Sequence, residues 1–113
     1  MENMVSVELQ RKKTESSLEI YYWMDYQQKE VDFVVKKGRR IEKLIQVCYN
    51  ISDMKTKDRE ISALLKASKD LKCNNLLIIT EDYESEEKHK NKKIKFMPLW
   101  KWLLIDVYSK PGK

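Results

Sequence analysis

A chain of 113 residues, 42% hydrophobic and 36% charged with two glycines and two prolines, has room for one folded domain around one core. That balance excludes a disordered chain, and the apolar runs around Leu76 to Ile79 and Leu103 to Ile105 are too short for a membrane span or a leader, so a soluble, cytoplasmic protein is expected. The net charge of +5 permits attraction to a polyanion, while 18 acidic residues make the surface mixed, so a solvated charged exterior and a nucleic-acid footprint both stay open.

Lysine far outnumbers arginine and accompanies abundant glutamate and isoleucine, a usage found in thermophile proteins. Cys48 and Cys73 lie in apolar contexts with no C-x-x-C and no Cys/His cluster, which argues against zinc and redox chemistry. His89, the single histidine, sits in a charged stretch, a poor setting for a Ser-His-Asp or Cys-His nucleophile.

In chain order, Met1 to Lys13 has Met1, Met4, Val5 and Leu9 at helical spacing without an N-cap signal, and a helix beginning at residue one suggests a truncated chain. Leu18 to Met24 is an aromatic-rich strand, in which Tyr21, Tyr22 and Trp23 serve either base stacking or cross-strand packing. Lys29 to Lys36 alternates, with Val31, Phe33 and Val35 on one face and Glu30, Asp32 and Val34 on the other. Lys37-Gly38-Arg39-Arg40 is the turn and Ile41 to Tyr49 the return strand. An odd loop of three residues places Asp32 opposite Gln46 and Glu30 opposite Cys48, gathering the four on one face.

Asn50 to Asp53 supply capping side chains for a helix in which Ile61, Leu64, Leu65, Ser68 and Leu71 recur, ending near Cys73. Leu76 to Thr80 is a continuous apolar run of the kind buried on both faces in a parallel arrangement. Glu81 to Lys93 is a polar connection, Lys92 to Met97 a final strand, and Pro98 opens a helix completed by Leu99 to Val107. Ser109 to Lys113 is a frayed, flexible tail. The order of helix, three strands, helix, two strands and helix, with a βαβ crossover, predicts an α/β sandwich in a single domain over 1–113.

Glu8, Asp32, Gln46 and Cys48 are similar in order and spacing to the PD-(D/E)XK pattern of restriction-endonuclease-like and Holliday-junction-resolvase-like nucleases. That resemblance implies a three-layer fold with a mixed central sheet flanked by helices. More closely, the chain resembles the carboxy-terminal domain of uncharacterised function of archaeal and bacterial AAA-type P-loop ATPases. Glu2-Asn3-Met4-Val5 with Glu8-Leu9, Tyr22-Trp23, Glu30 to Val35, Leu44 to Val47, Thr56 with Arg59-Glu60, Leu77 to Thr80 and Pro98 to Leu103 carry the likeness. It departs in two ways. No G-x-x-x-x-G-K-[ST] is present, so ATP binding is not expected, and Gln46 and Cys48 stand where the nuclease pattern has a carboxylate and a lysine.

Mg²⁺-assisted phosphodiester hydrolysis needs hard oxygen donors near one another and a group that orients water. Asp32 is the best donor, Glu8 approaches along a helix edge with Met4 and Arg11, and the Gln46 carbonyl is neutral and weak. Cys48 is too soft for Mg²⁺ and brings no positive charge.

Three readings follow. In the first, the chain is a catalytically inactive nuclease-like module of a P-loop ATPase domain or subunit, contacting nucleic acid or protein, with Lys12, Lys13, Lys36, Lys37, Arg39 and Arg40 facing phosphates or a solvated rim. In the second, Glu8, Asp32 and Gln46 hold Mg²⁺ or Mn²⁺, and Lys36 or Lys43 replaces the missing lysine. In the third, it is a structural or homodimerising domain whose Glu30 and Asp32 pair with Arg59 or nearby lysines. Only the second calls for a metal, and none calls for another cofactor.

Overall fold

The computed structural model describes residues 2–108, and the expected flexible tail at 109–113 lies outside them. Among these residues the chain runs α1 (Glu2–Ser16), β1 (Glu19–Met24), β2 (Glu30–Lys37), β3 (Arg40–Val47), α2 (Met54–Leu71), β4 (Leu76–Thr80), β5 (Ser85–His89), β6 (Lys92–Pro98) and α3 (Leu99–Tyr108). The strands form one mixed sheet in the order β1-β2-β3-β4-β6-β5. β3, β4 and β6 are mutually parallel, while β1, β2 and β5 pair antiparallel to their neighbours.

Two apolar cores flank the sheet. On one side Ile61, Leu64 and Ala67 of α2 pack on Leu44, Ile78, Ile94 and Phe96. On the other, Val5 and Leu9 of α1 and Trp102 of α3 pack on Phe33, Val35, Ile45, Leu77 and Ile79. β4 supplies residues to both cores and is buried throughout, as a continuous apolar run in a parallel strand requires. The crossover from β3 through α2 to β4 puts Leu44 beside Leu76 in parallel register. No described helix is long and apolar enough to cross a membrane.

Asp53 caps α2, accepting from the Lys55 amide at 3.1 Å and the Thr56 hydroxyl at 3.0 Å. Truncating this cap is expected to cost about 1 kcal/mol, so Asp53→Ala should lower the urea midpoint by that loss divided by the denaturant slope and leave the slope unchanged.

The chain has a sixth strand that its pattern conceals. Residues 81–93, expected as a polar connection, contain β5, which hairpins onto β6 with His89 beside Lys92. β5 is an edge strand of alternating half-exposed polar residues, so only its partner reveals it. Lys57 of α2 fastens this edge: its ammonium lies 3.0 Å from Glu87 and about 5 Å from the Tyr83 and Phe96 rings. Burial would raise the Glu87 carboxyl, but hydrogen bonds from Tyr83, His89 and Lys57 outweigh it and hold the group down at about 2. Pro98, expected to open the last helix, instead closes β6 opposite Thr80.

Two bulges set the geometry of the β2–β3 hairpin. Tyr21 pairs with Val34 and Trp23 with Val31, so Asp32 and Phe33 together oppose the single Tyr22. The extra residue breaks the alternation: Val31 and Val34 both enter the α2-side core, whereas Phe33 and Val35 face α1 and α3. The expectation of Val31, Phe33 and Val35 on one face is corrected accordingly. In β3, Val35 opposes Lys43 and Lys36 opposes Ile41, leaving Glu42 unpaired across the ladder. Its carbonyl is taken by the Asn75 side chain at 3.0 Å. The turn proper is Gly38-Arg39, with Gly38 at φ 63, between paired Lys37 and Arg40. A two-residue turn plus one bulged residue has the parity of the expected three-residue loop, so Phe33 meets Ile45 and Asp32 comes alongside Gln46.

Candidate functional site

The β2–β3 ladder stops at Phe33 and Ile45; beyond it Val31 pairs only with β1, and Gln46 and Val47 only with β4. The sheet therefore splits between β2 and β3 at the residues the sequence singles out. Side chains bridge the split. The Asp32 amide donates to Gln46 Oε1, Gln46 Nε2 donates to the Glu30 carbonyl, and the Val47 amide donates to Asp32 Oδ2, each at 2.8 Å. Each strand thus lends one side chain to the other's backbone. The two ends of the Gln46 amide face one donor and one acceptor, so only an amide satisfies both. Gln46 is 1% exposed.

Burial pushes the Asp32 carboxyl up to about 6; the Val47 amide opposes this, and the charges of Glu2 and Glu30 add to it. Glu60 of α2, which shares with Glu30, Asp32 and Arg59 the lining of a surface recess, is also raised, first by burial and then by Asp32, against the pull of Arg59. Cys48 is 2% exposed, and its thiol is pushed up by burial and then by Glu60. It is a core group, not a substitute for a lysine.

Of the proposed nuclease residues, Asp32 and Gln46 come together in the clamp. Glu8 is buried on α1, hydrogen-bonded by the Arg11 guanidinium and set against Met4, Val7 and Leu103. The α1 carboxylate whose charge acts on Asp32 is Glu2. Lys36 lies with its ammonium 5.9 Å over the Tyr21 ring, four residues along β2 from Asp32, about 13 Å in an extended strand. Lys43 lines a groove with Leu9 and Trp102 on the α1 side. Arg59 pairs with its neighbour Glu60 at 3.7 Å rather than with Asp32 or Glu30.

This donor set does not fit a catalytic divalent cation. Asp32 Oδ2 and the Gln46 carbonyl oxygen are turned to backbone amides, Glu8 is turned to Arg11, and no three His, Cys, Asp or Glu side chains among the described residues are grouped to hold a metal.

Reading the sequence missed Glu2 and Glu60. Glu60 had a legible signal, since it stands one turn before Leu64 and interrupts the apolar stripe of α2 with a charge. Glu2 stands in the segment that carries the family likeness, but no local spacing places it near Asp32. The six basic candidates lie at the other end of the hairpin: Lys12 and Lys13 near the end of α1, Lys36 and Lys37 at the end of β2, and Arg39 and Arg40 at the turn.

The family described as a domain of unknown function (DUF4143) matches residues 1–102. An uncharacterized protein of Methanocaldococcus jannaschii, MJ1544, is 39% identical over 110 residues, covering 92% of this chain and 24% of that protein. The chain thus spans about a quarter of the length of this relative. No solved structure matches. On a match that takes in nearly the whole chain, including both strands of the clamp, the protein belongs to the DUF4143 family.

Proposed function

We propose that this chain is a catalytically inactive module with a restriction-endonuclease-like fold, acting as an accessory part of a P-loop ATPase through contact with nucleic acid or protein. The observation that carries the reading is the reciprocal clamp between Asp32 and Gln46, which uses as strand-bridging hydrogen bonds the groups that a nuclease would turn toward a metal. Support for the fold comes from the helix and strand order and from the sheet split at Asp32, and support for the ATPase association from the sequence resemblance alone.

Incubating supercoiled plasmid with the chain and Mg²⁺ or Mn²⁺ tests the reading. No nicking above the Asp32→Ala control is expected; metal-dependent nicking that disappears in the control would establish an active nuclease instead.

A second reading, assembly, is favoured by exposed apolar side chains on the α1 and α3 layer, where Met4, Val7, Trp100, Leu104 and Ile105 are each more than two-fifths exposed. It predicts concentration-dependent association in sedimentation, with no effect of nucleic acid.

A further inference from the structure

The strand directions sort the connections of this fold into two ends, and the two ends differ in charge. The amino-terminal ends of β3, β4 and β6 lie together, with the α1–β1 connection, the β2–β3 turn, the end of α2 and the β5–β6 turn. Each of these four reversals is basic: Lys12-Lys13, Lys36 to Arg40, Lys69 with Lys72, and Lys88 to Lys93. The connections at the opposite end carry Asp25, Asp53, Glu81, Asp82 and Glu84, alongside Glu2, Glu30, Asp32 and Glu60. Distant parts of the sequence supply each pole, so the fold creates a segregation that a net charge of +5 conceals.

We infer that the basic pole is a docking surface for the phosphate backbone of duplex nucleic acid, on the end of the domain opposite Asp32. Lys37, Arg39, Arg40, Lys72 and Lys90 are all exposed, and none has an ion-pair partner among the described residues. The acids among them are few: Glu15 is held by Arg11, Asp70 by Lys66 and Glu86 by Lys93, which leaves Glu42 and Glu19, the latter opposite Lys36 and hydrogen-bonded by the Tyr21 hydroxyl.

The spacing suits a duplex. The centres of the β2–β3 and β5–β6 hairpins are three strand steps apart, about 14 Å at the usual strand separation. That is on the scale of the roughly 12 Å major groove, so two basic tips can meet phosphates on either side of a groove. No aromatic side chain stands in either turn to stack on a base, so the contact assigned to this pole is to the phosphate backbone. This deepens the accessory-module reading by naming its partner and face; it does not depend on the nuclease-like ancestry.

Fluorescence anisotropy of a labelled duplex DNA of about 20 base pairs, titrated with the whole chain at several salt concentrations, tests the assignment. Affinity should fall linearly with log salt, each phosphate contact adding about 0.9 to the slope. The triple variant Lys37→Gln, Arg39→Gln, Arg40→Gln should bind at least about tenfold more weakly, with a slope smaller by about 3. The double variant Lys72→Gln, Lys90→Gln, which leaves that hairpin intact, should lose about 2 from the slope, whereas Lys55→Gln with Lys101→Gln at the acidic end should match the parent.

Absent or salt-insensitive binding overturns the assignment, as does equal loss from the acidic-end control. Competition by poly-glutamate or by phosphatidylserine vesicles as effective as that by unlabelled duplex overturns the choice of nucleic acid. Metal-dependent nicking alongside intact pole binding would refute the inactive-module reading and leave this one standing.

Discussion

Gln46→Glu should cost about 3–5 kcal/mol of folding free energy at neutral pH, the magnitude of breaking one side of a buried polar network. A carboxylate has no donor for the Glu30 carbonyl, so one of the three clamp bonds becomes a repulsion. It also sets a second acid beside an Asp32 carboxyl already raised to about 6. Part of the loss should return as pH falls and the new acid, once protonated, regains an O–H donor. Gln46→Leu separates the two effects. It leaves the Asp32 N–H and Glu30 C=O unpaired, at about 1–3 kcal/mol each, but adds no charge, so its deficit should not shrink on acidification. Urea unfolding of the three proteins at pH 5 and pH 7.5 decides; a Glu variant as stable as the parent at pH 7.5 would mean that the amide is not what bridges the strands. In the nuclease pattern that this region resembles, Glu and Lys stand at these two positions, and Gln46→Glu with Cys48→Lys is the corresponding double variant. Stabilisation of that variant by Mn²⁺ would show that a metal site lies closer to hand than the clamp geometry allows.

Asp32→Asn should make the protein more stable at pH 7, by about 1–2 kcal/mol once a shift worth about 1.4 kcal/mol per unit is discounted for residual solvent. Asn keeps an oxygen for the Val47 amide and removes a charge that burial, Glu2 and Glu30 all disfavour. The sign follows from proton counting. Between the ordinary carboxyl range near 4 and the folded value of about 6, the native state holds a proton that the unfolded chain has lost. Parent stability therefore falls as pH rises through this window and levels off above it, and the Asn variant should lack that decline. The difference between the two proteins at pH 4.5 and 7.5 isolates the group from the other titrating carboxyls. A substitution that destabilises equally at both pH values would show that the carboxylate serves structure better charged than neutral. Glu60 should titrate lower in the variant, since Asp32 is its second-largest perturbation.

Both effects concern a site whose ingredients were legible and whose chemistry was not. The pairing of Asp32 with Gln46 follows from the parity of the hairpin connection, and parity survives the exchange of a three-residue loop for a turn plus a bulge at Glu42. Helix α2, its Asp53 cap and the buried strand Leu76–Thr80 follow from short-range signals that tertiary packing had no reason to override. The mixed α/β class follows from the order of elements.

Other features required the folded chain. Strand β5 has no apolar face of its own, so its existence depends on β6 and on Lys57 reaching across from α2. The bulge at Asp32 and Phe33 is a mismatch with β1 that no period in β2 alone records, and it moves Val31 to the other core. The approach of Glu2 and Glu60 to Asp32 comes from how the helices lie on the sheet. By itself the sequence determined which residues are polar within apolar surroundings, the β2–β3 hairpin and the crossover to β4, because hydrophobic period and turn length act locally. Only the tertiary structure decided what those polar residues face, and that the basic and acidic turns collect at opposite ends, because burial and charge act between segments that are far apart along the chain.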